Sequence, residues 1–218
     1  MITIALVSQK GGSGKTTLAT HLAAKATQAG YVTCLIDTDP QATAAAWGDW
    51  RGKTDPEVIT APPARLARVI EDAQKLGAEF LVIDTPPFAE AAAREAVKAA
   101  DVVLIPCRPR AFDLHAIQAT ADLIRSTRKA AYVVFNATPP RAPALIADAS
   151  KMVESFGLEV APISLAERAA FNHSTANGRT AVETEPSGKA AEEIDRLWQW
   201  LCERASTPPQ KHASENAL

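Results

Sequence analysis

The sequence predicts an α/β fold in which a doubly wound, mostly parallel sheet lies between two layers of helices. Three observations predict it. Short aliphatic or β-branched runs alternate with longer helical segments, most of these runs are apolar throughout, and glycine or proline stands at several helix boundaries. Such alternation is typical of a parallel sheet covered by helices on both faces, and continuous apolar runs are typical of strands buried on both sides.

The pattern predicts seven strands and seven helices, of which the third strand is the weakest. The strands are predicted at Ile2–Ser8, Tyr31–Asp37, Val58–Thr60, Phe80–Asp84, Val102–Pro106, Tyr132–Asn136 and Glu159–Ile163. The helices are predicted at Lys15–Ala29, Thr43–Arg51, Pro63–Leu76, Ala89–Ala99, Leu114–Thr127, Pro143–Phe156 and Ser187–Arg204. Gly30 and Gly77 stand where C-terminal caps belong, and several prolines stand where helices begin.

The length of 218 residues suits one compact domain. We expect residues 1–205 to form this domain and residues 206–218, which are polar and without periodicity, to form a disordered tail. No run approaches the ~18 apolar residues that a membrane helix needs, and the first residues lack the features of a signal peptide. A cytoplasmic protein is therefore expected.

The formal net charge of -2 is not the strong basic excess by which nucleic-acid-binding proteins are usually recognised, so any DNA contact must come from a local patch. The three cysteines are far apart and have no C-x-x-C spacing, which predicts neither a disulfide framework nor a zinc site. The four histidines also lack the mutual spacing of a metal site. We interpret them as ordinary helix, loop and tail residues.

The segment Ser8–Thr17, between the first strand and the first helix, has the composition of a phosphate-binding loop. Its glycines let successive backbone N–H groups turn toward one anion, and the helix N-terminus adds a partial positive charge. Lys15 can reach the β- and γ-phosphates, and the Thr16 hydroxyl can bind Mg²⁺. The common pattern G-x-x-x-x-G-K-[ST] is not satisfied, because Gln9 stands where its first glycine belongs. A glycine-rich turn without a ligand is disfavoured by the strand, loop and helix context.

Two acidic motifs follow other strands of the predicted sheet. Asp37 and Asp39 lie at the end of the second strand, and Asp84 ends the apolar strand Phe80–Asp84. Carboxylates at the carboxyl edge of such a sheet lie beside the phosphate loop. One of Asp37 and Asp39 can orient water while the other supports Mg²⁺ through its water shell, and a metal ion stabilises the otherwise costly carboxylate of Asp84. For Asp39 alone, capping of the next helix is the alternative.

The motif Lys10–Thr16 resembles the deviant Walker A sequence, K-G-G-x-x-K-[ST], of the ParA/MinD family of ATPases. Asp37–Gln41 is similar to switch I of that family, and Asp84–Pro87 is similar to its switch II. The three motifs stand in the family's order, and the resemblance spans the chain to about Arg204. It implies a Rossmann-like P-loop NTPase of three α/β/α layers, with ATP and Mg²⁺ as cofactors.

The resemblance also implies roles for individual residues. Lys10, Lys15 and Asp39 would be catalytic, with Lys10 reaching the partner subunit's nucleotide in trans and Asp39 positioning the attacking water. Three oxygen-bearing side chains would support Mg²⁺, namely Thr16, Asp37 and Asp84. The nucleotide-binding residues would be Lys10, Gly11, Gly12, Ser13, Gly14, Lys15, Thr16, Thr17 and Asn136.

Asn136 ends the sixth predicted strand at the same edge of the sheet. Its amide can donate to and accept from the Watson–Crick face of adenine at once. Family members have a comparable asparagine, so the resemblance assigns Asn136 to the base. A turn at the strand end is the alternative.

The resemblance implies a ParA-like partition ATPase of the short form, because the chain starts directly at the first strand. Such proteins form ATP-dependent homodimers and bind DNA without sequence preference. A ParB-like or other small activating protein stimulates hydrolysis and releases them. The cargo would be a plasmid, a chromosome region or a protein cluster, and the protein would be cytoplasmic and associated with the nucleoid.

Basic residues in the later part of the chain are candidates for DNA contact. Residues 102–151 carry seven basic and three acidic side chains, a net charge of +4. Arg168 and Arg179 flank a polar loop at residues 172–178, and Lys189 opens the last helix. These three residues are predicted to contact DNA. For each arginine alone, a solvated surface position is the alternative.

Three other classes are weighed against this function. A MinD-like membrane-cycling ATPase needs a C-terminal amphipathic helix, and the polar segment Ser206–His212 argues against it and against a membrane partner. An iron-protein reductase needs cluster cysteines beside the second switch, where this chain has none. A ligase of the dethiobiotin synthetase type stays open, and it would need no lysine acting in trans.

Overall fold

The computed structural model describes residues 1–206 of the chain. Its strands are β1 (Ile2–Leu6), β2 (Thr33–Asp37), β3 (Glu57–Thr60), β4 (Phe80–Asp84), β5 (Val102–Cys107), β6 (Ala130–Phe135) and β7 (Glu159–Val160). Its helices are α1 (Lys15–Gln28), α2 (Thr43–Arg51), α3 (Leu66–Lys75), α4 (Glu90–Ala99), α5 (Ala111–Thr127), α6 (Pro143–Ser155), α7 (Ala169–Thr175), α8 (Ala181–Thr184) and α9 (Lys189–Ser206). The predicted tail lies outside the described residues apart from Ser206, where α9 ends. None of the helices described is long and apolar enough to cross a membrane.

The strands form one parallel sheet in the order β3-β2-β4-β1-β5-β6-β7. The predicted fold class is therefore confirmed, with a sheet that is wholly parallel over the described residues. The chain winds outward to β3, returns to β4 beside β1, and then continues past β1 toward β7. This change of direction brings the carboxyl ends of β1, β2 and β4 together at one edge, where ligands bind in open α/β sheets.

The central strands of the sheet are buried on both faces, because their successive residues pack into two separate cores. Ile4 and Leu6 of β1 pack beneath α1, α2 and α7 to α9. Ala5 and Val7 pack on the opposite face beneath α3 to α6. Strand residues of both faces leave water on folding, which is the main stabilising contribution of such a sheet. This arrangement explains why the strands are continuous apolar runs.

The last strand is shorter than predicted, ending at Val160 rather than Ile163. Ala161 still donates its N–H to the Val133 carbonyl at 2.9 Å. Pro162 then has no N–H with which to continue the ladder. The chain therefore leaves the sheet at that point.

The polar loop predicted at residues 172–178 is wrong in its first part, because α7 continues to Thr175. The Ser174 hydroxyl donates to the Ala170 carbonyl at 2.7 Å, so this polar side chain is satisfied within the helix. Phe171 is buried, and its ring contacts the ring of His21 in α1 at a centroid distance of 5.1 Å. This polar segment therefore forms a short helix that packs through the ring of Phe171.

His21 lies in the middle of α1 and is fully buried. Its Nδ1 lies 2.7 Å from the Thr17 carbonyl oxygen, and its Nε2 accepts the N–H of Ala181 at 3.0 Å. A neutral ring protonated on Nδ1 satisfies both contacts. Burial lowers the pKa of His21 to about 4, although Glu183 and the bond to Thr17 act in the opposite direction.

This buried ring predicts a loss of stability in mild acid. The unfolded chain holds His21 near its ordinary pKa of 6.5, so the unfolded state gains the proton first as the pH falls. Between about pH 7.5 and about pH 5, the free energy of unfolding should fall by about 2 kcal/mol through this residue. His21→Gln has no side chain that gains this proton. Its free energy of unfolding should therefore fall by about 2 kcal/mol less than that of the wild-type protein over the same pH range. Denaturant unfolding at both pH values measures the difference, and equal pH dependence in the two proteins would contradict the prediction.

Candidate functional site

The loop between β1 and α1 has the geometry of an anion-binding site. Gly12 and Gly14 have φ values of 71° and 93°, which L side chains rarely adopt. At Gly14 a Cβ atom would also collide with the amide nitrogen of Asn136. α1 begins at Lys15 with no side-chain cap and no acidic residue in its first turn. Its first N–H groups and its partial positive charge are therefore available to an anion.

A cavity of about 700 Å³ adjoins this loop. Its lining includes Gly11–Thr17 of the loop, Thr38–Gln41 after β2, and Pro86 and Pro87 after β4. The three motifs identified in the sequence thus meet at one site, because β1, β4 and β2 are neighbours in the sheet. The volume is typical of a pocket for a small molecule.

Lys15 lines the cavity and is 6% exposed. Its Nζ donates to the carbonyls of Ser8 and Lys10 at 3.1 and 3.3 Å. Burial lowers the pKa of Lys15, although the nearby carboxylates of Asp84 and Asp39 act in the opposite direction. In the described part of the chain its ammonium group forms no ion pair. Its charge can therefore serve an anionic ligand.

Asp84, at the end of β4, is buried beside the loop. Its Oδ2 accepts the Thr16 hydroxyl at 2.6 Å, whereas its Oδ1 has no hydrogen-bond partner within residues 1–206. Burial raises the pKa of Asp84 to about 7. A buried carboxylate oxygen without a donor is costly unless a cation compensates it. Thr16 and Asp84 therefore suit Mg²⁺, which prefers oxygen ligands.

The protein alone does not complete a metal site among the residues described. No group of three or more His, Cys, Asp or Glu residues there could hold a metal ion. Mg²⁺ often binds through one or two carboxylates together with phosphate oxygens and water. The donor set of Thr16 and Asp84 matches this mode of binding, in which the ion arrives with a phosphorylated ligand.

Asp37, at the end of β2, holds the start of α2. Its Oδ2 accepts the N–H groups of Ala44 and Ala45 at 2.9 and 3.0 Å, and its Oδ1 accepts the N–H of Asp39 at 2.9 Å. Burial raises the pKa of Asp37, although these hydrogen bonds oppose the effect. Sequence reasoning missed this capping role, because the bonded groups lie several residues further along the chain. Support of Mg²⁺ by Asp37 stays a prediction.

Asp39 lines the cavity, and its Oδ1 accepts the N–H of Gln41 at 2.9 Å. The alternative that Asp39 caps α2 is wrong, since Asp37 binds the first N–H groups of that helix. The other carboxylate oxygen of Asp39 accepts no hydrogen bond from residues 1–206. It can accept one from a water molecule in the cavity.

Lys10 and Asn136 do not line the cavity. Lys10 is half-buried on the loop. Asn136 donates from its Nδ2 to the Ser13 carbonyl at 3.0 Å, and its Oδ1 accepts the N–H of Ala137 at 2.8 Å. Asn136 thus supports the phosphate loop from the end of β6, and its contact with adenine stays a prediction.

Sequence reasoning also missed the position of Arg108, which follows β5. A Cβ atom on Gly12 would lie 3.9 Å from the Nη2 atom of Arg108. From the sequence alone, Arg108 was only one of the seven basic residues in the stretch 102–151. The signal that points to it is its place at the carboxyl end of the strand next to β1.

The three residues predicted to contact DNA do not lie together. Arg168 forms an ion pair with Glu193 at 2.5 Å, and with Lys189 it lines a second cavity of about 560 Å³. Arg179 does not line that cavity, and its carbonyl accepts the indole N–H of Trp47 at 3.1 Å. Arg179 and Lys189 are exposed, whereas Arg168 is half-buried. Contact with DNA stays a prediction for all three.

A polyphosphate with a divalent cation satisfies the open N-terminus of α1, the charge of Lys15 and the unpaired oxygen of Asp84 at once. Fold and site therefore define a P-loop nucleotide-binding protein. The family model of the CobQ/CobB/MinD/ParA nucleotide binding domain matches residues 4–181. The chain belongs to this family, and the predicted resemblance to ParA/MinD P-loop ATPases is confirmed.

Three known proteins show the extent of the similarity. The maintenance of carboxysome distribution protein A of Halothiobacillus neapolitanus is 32% identical over 207 residues, which cover 89% of this chain and 94% of that protein. Protein ParA of Rhizobium radiobacter is 29% identical over 184 residues, which cover 79% of this chain and 81% of that protein. The septum site-determining protein MinD of Pyrococcus horikoshii OT3, solved with Mg-ADP, superposes with a TM-score of 0.73 at 19% identity, over 96% of this chain and 99% of that one.

Lys15→Ala should remove nucleotide binding, because the phosphates lose their buried cation. The affinity should fall by about 100-fold or more, as measured by titration with a fluorescent ATP or ADP analogue. Lys25→Ala, on the same helix and paired with Asp195, is the matched control and should bind normally. Tight binding by a folded Lys15→Ala protein would refute the assignment of the loop.

Proposed function

We propose that this chain is a ParA-type positioning ATPase that hydrolyses ATP to ADP and phosphate. The observation that supports this most is that the phosphate loop and Asp39 line one cavity, and that Asp84 lies directly behind it, bonded to the hydroxyl of Thr16. A cation, a carboxylate that can orient water and a site for Mg²⁺ thereby share one space. The relatives from Halothiobacillus and Rhizobium, which this chain matches over most of their length, support the positioning role.

Four residues at this site have tasks in phosphoryl transfer. Lys15 and the first N–H groups of α1 bind the β- and γ-phosphates and neutralise their charge. Thr16 and Asp84 hold Mg²⁺, which when bound neutralises further charge on the phosphate oxygens. Asp39 accepts a hydrogen bond from the attacking water and orients it toward the γ-phosphate.

A second copy of the chain completes the catalytic site. Lys10 lies outside the cavity that Lys15 lines, which supports its contact with the nucleotide of the other copy. A cation supplied by association stabilises charge on the transferring phosphoryl group, as an arginine finger does. Hydrolysis then requires the dimer.

The ATP-bound dimer binds DNA through phosphate contacts of exposed basic residues. One copy contacts few DNA phosphates and binds weakly, whereas a dimer contacts twice as many. Because the dimer requires ATP, the nucleotide controls DNA affinity. A small activating protein of the ParB type stimulates hydrolysis and releases the dimer from the nucleoid. The name of the Halothiobacillus relative favours a protein cluster as cargo, and a plasmid or chromosome region is the other candidate.

Asp39→Ala should leave ATP binding and dimer formation intact while hydrolysis falls by about 100-fold or more, as expected for a positioned acid–base group. The protein should then persist as an ATP-bound dimer. Phosphate release and light scattering measure the two properties. Asp49→Ala, which removes an exposed carboxylate from α2, is the control. Unchanged turnover in Asp39→Ala would exclude its role in hydrolysis, and an ATP-bound monomer would exclude the dimer.

Binding to unrelated DNA duplexes should require ATP and weaken as salt rises, because phosphate contacts dominate it. Gel shifts with ATP and with ADP at two salt concentrations measure both effects. Replacing Arg179 and Lys189 together by alanine should weaken binding to every duplex, whereas Lys75→Ala on α3, which removes an exposed lysine, should not. Equal affinity with the two nucleotides would rule out DNA binding controlled by ATP.

A further inference from the structure

Residues 178–184 contact both helices that lead away from the nucleotide cavity. α1 follows the phosphate loop directly, and α2 follows the segment Asp37–Gln41. The 178–184 segment contains α8 and lies far from both helices in sequence. In space it bonds to side chains of each.

The strongest contact joins Arg51, the last residue of α2, to Glu183. Nη1 of Arg51 donates to Oε2 at 2.8 Å, and Nη2 donates to Oε1 at 2.7 Å. The Arg51 side chain is 5% exposed, and its Nη1 also lies 3.3 Å from the Gly178 carbonyl oxygen. A bidentate, charge-assisted pair of this kind fixes the orientation as well as the position of its partners.

Two more contacts bring the 178–184 segment against α2. The indole N–H of Trp47 donates to the Arg179 carbonyl at 3.1 Å. A Cβ atom on Gly178 would collide with the backbone nitrogen of Arg51. The segment therefore lies against the backbone at the end of α2 as well as against its side chains.

Glu183 is itself held by the start of α8. Its Oε2 accepts the backbone N–H and the hydroxyl of Thr180, each at 2.9 Å. Burial alone would raise the pKa of Glu183, but the hydrogen bonds from Arg51 and Thr180 hold it below its usual range. The carboxylate is therefore an ionised, fixed partner for Arg51.

The same segment is bonded to α1 on its other side. Ala181 donates its N–H to Nε2 of His21 at 3.0 Å, and Nδ1 of His21 donates to the Thr17 carbonyl at 2.7 Å. Thr17 lies next to Thr16 in the first turn of α1. Hydrogen bonds thus connect the phosphate loop, through α1 and α8, to the end of α2.

α2 is consequently fixed at both ends. Asp37 binds its first N–H groups, and Glu183 binds Arg51 in its last turn. Asp39 lies in the turn just before the helix, where its carbonyl accepts the N–H of Ala42 at 2.8 Å. Because this bond joins Asp39 to the residue that precedes α2, a displacement of the helix would also displace Asp39.

We propose that Arg51 and Glu183 are positioning residues that hold α2, and through it Asp39, in register with the phosphate loop. The inference rests on the proposed function, since it takes Asp39 as the residue that orients the attacking water. Without the ion pair, Asp37 still holds the start of α2, but its end keeps only the weaker bonds of Trp47 and Arg51 to the carbonyls of Arg179 and Gly178. A misplacement of about 1 Å at a reacting group can lower a rate about 100-fold, whereas nucleotide binding depends on the loop and Lys15.

Glu193 provides a matched control, because it forms a similar ion pair elsewhere. It binds Arg168 at 2.5 Å and accepts the N–H of Ala166 at 3.1 Å. Its side chain is 15% exposed, against 21% for Glu183. Neither of these partners lies on α1 or α2. A merely structural loss of an ion pair should therefore affect Glu183→Gln and Glu193→Gln alike.

The test compares ATP hydrolysis and ADP affinity in the wild-type protein, Glu183→Gln and Glu193→Gln, with the folded fraction measured by circular dichroism. We expect Glu183→Gln to lower kcat about ten-fold while the Kd for ADP changes less than about two-fold. Glu193→Gln should retain the wild-type kcat. Equal kcat in the two variants overturns the inference, and so does a loss of ADP affinity as large as the loss of kcat.

Arg51→Lys is the second variant, because lysine keeps the charge without the bidentate geometry. It should lower kcat less than Glu183→Gln does, again with unchanged ADP affinity. If Glu183→Gln does not fold, a lowered kcat in Arg51→Lys supports the inference and a wild-type kcat overturns it. Absence of hydrolysis by the wild-type protein would instead overturn the proposed function.

Discussion

The register of the three central strands decides the chemistry of the site. Asp84 stands opposite Leu6 in the ladder of β1 and β4, and opposite Asp37 in the ladder of β2 and β4. Two buried carboxylates therefore lie side by side at the edge where the phosphate loop begins. Burial raises the pKa of Asp84, and Asp37 raises it further. Three backbone donors satisfy Asp37, whereas one oxygen of Asp84 has no donor within the described residues and would be compensated by a cation.

Lys15 is also buried at this edge of the sheet, and its charge is opposite to that of Asp84. It is buried and bonded only to carbonyl oxygens within the described residues, so its charge is incompletely compensated. Lys15 and Asp84 attract each other without forming an ion pair. A nucleotide with Mg²⁺ carries both signs and can serve both residues at once, so binding should stabilise the folded protein by mass action. The site thus suits an anionic nucleotide bound together with Mg²⁺ rather than an apolar molecule.

Local sequence signals predicted most of the fold and part of the site. The apolar strands and the phosphate loop were predictable because a strand, glycines and a helix start lie together in the chain. The bond of Asn136 to the loop and the pair of Arg51 with Glu183 were not, because each joins residues more than a hundred positions apart. α7 was predicted as a loop because its residues are mostly polar. Its Ser174 is nevertheless satisfied inside the helix, by a hydrogen bond to the Ala170 carbonyl. What the sequence could not provide was therefore mainly contact between distant segments.

The two lysines of the loop differ in position, and on the proposed function this difference determines which step a second copy controls. Lys15 lines the cavity of its own chain, so one copy can bind a nucleotide unaided. Lys10 lies outside that cavity, and on the proposed function its cation acts on a nucleotide that another subunit brings to it. Binding would then be a property of the monomer and hydrolysis a property of the dimer. If DNA affinity also depends on two aligned basic surfaces, as proposed above, hydrolysis would begin only in the dimer that holds DNA. Hydrolysis would then dissociate that dimer.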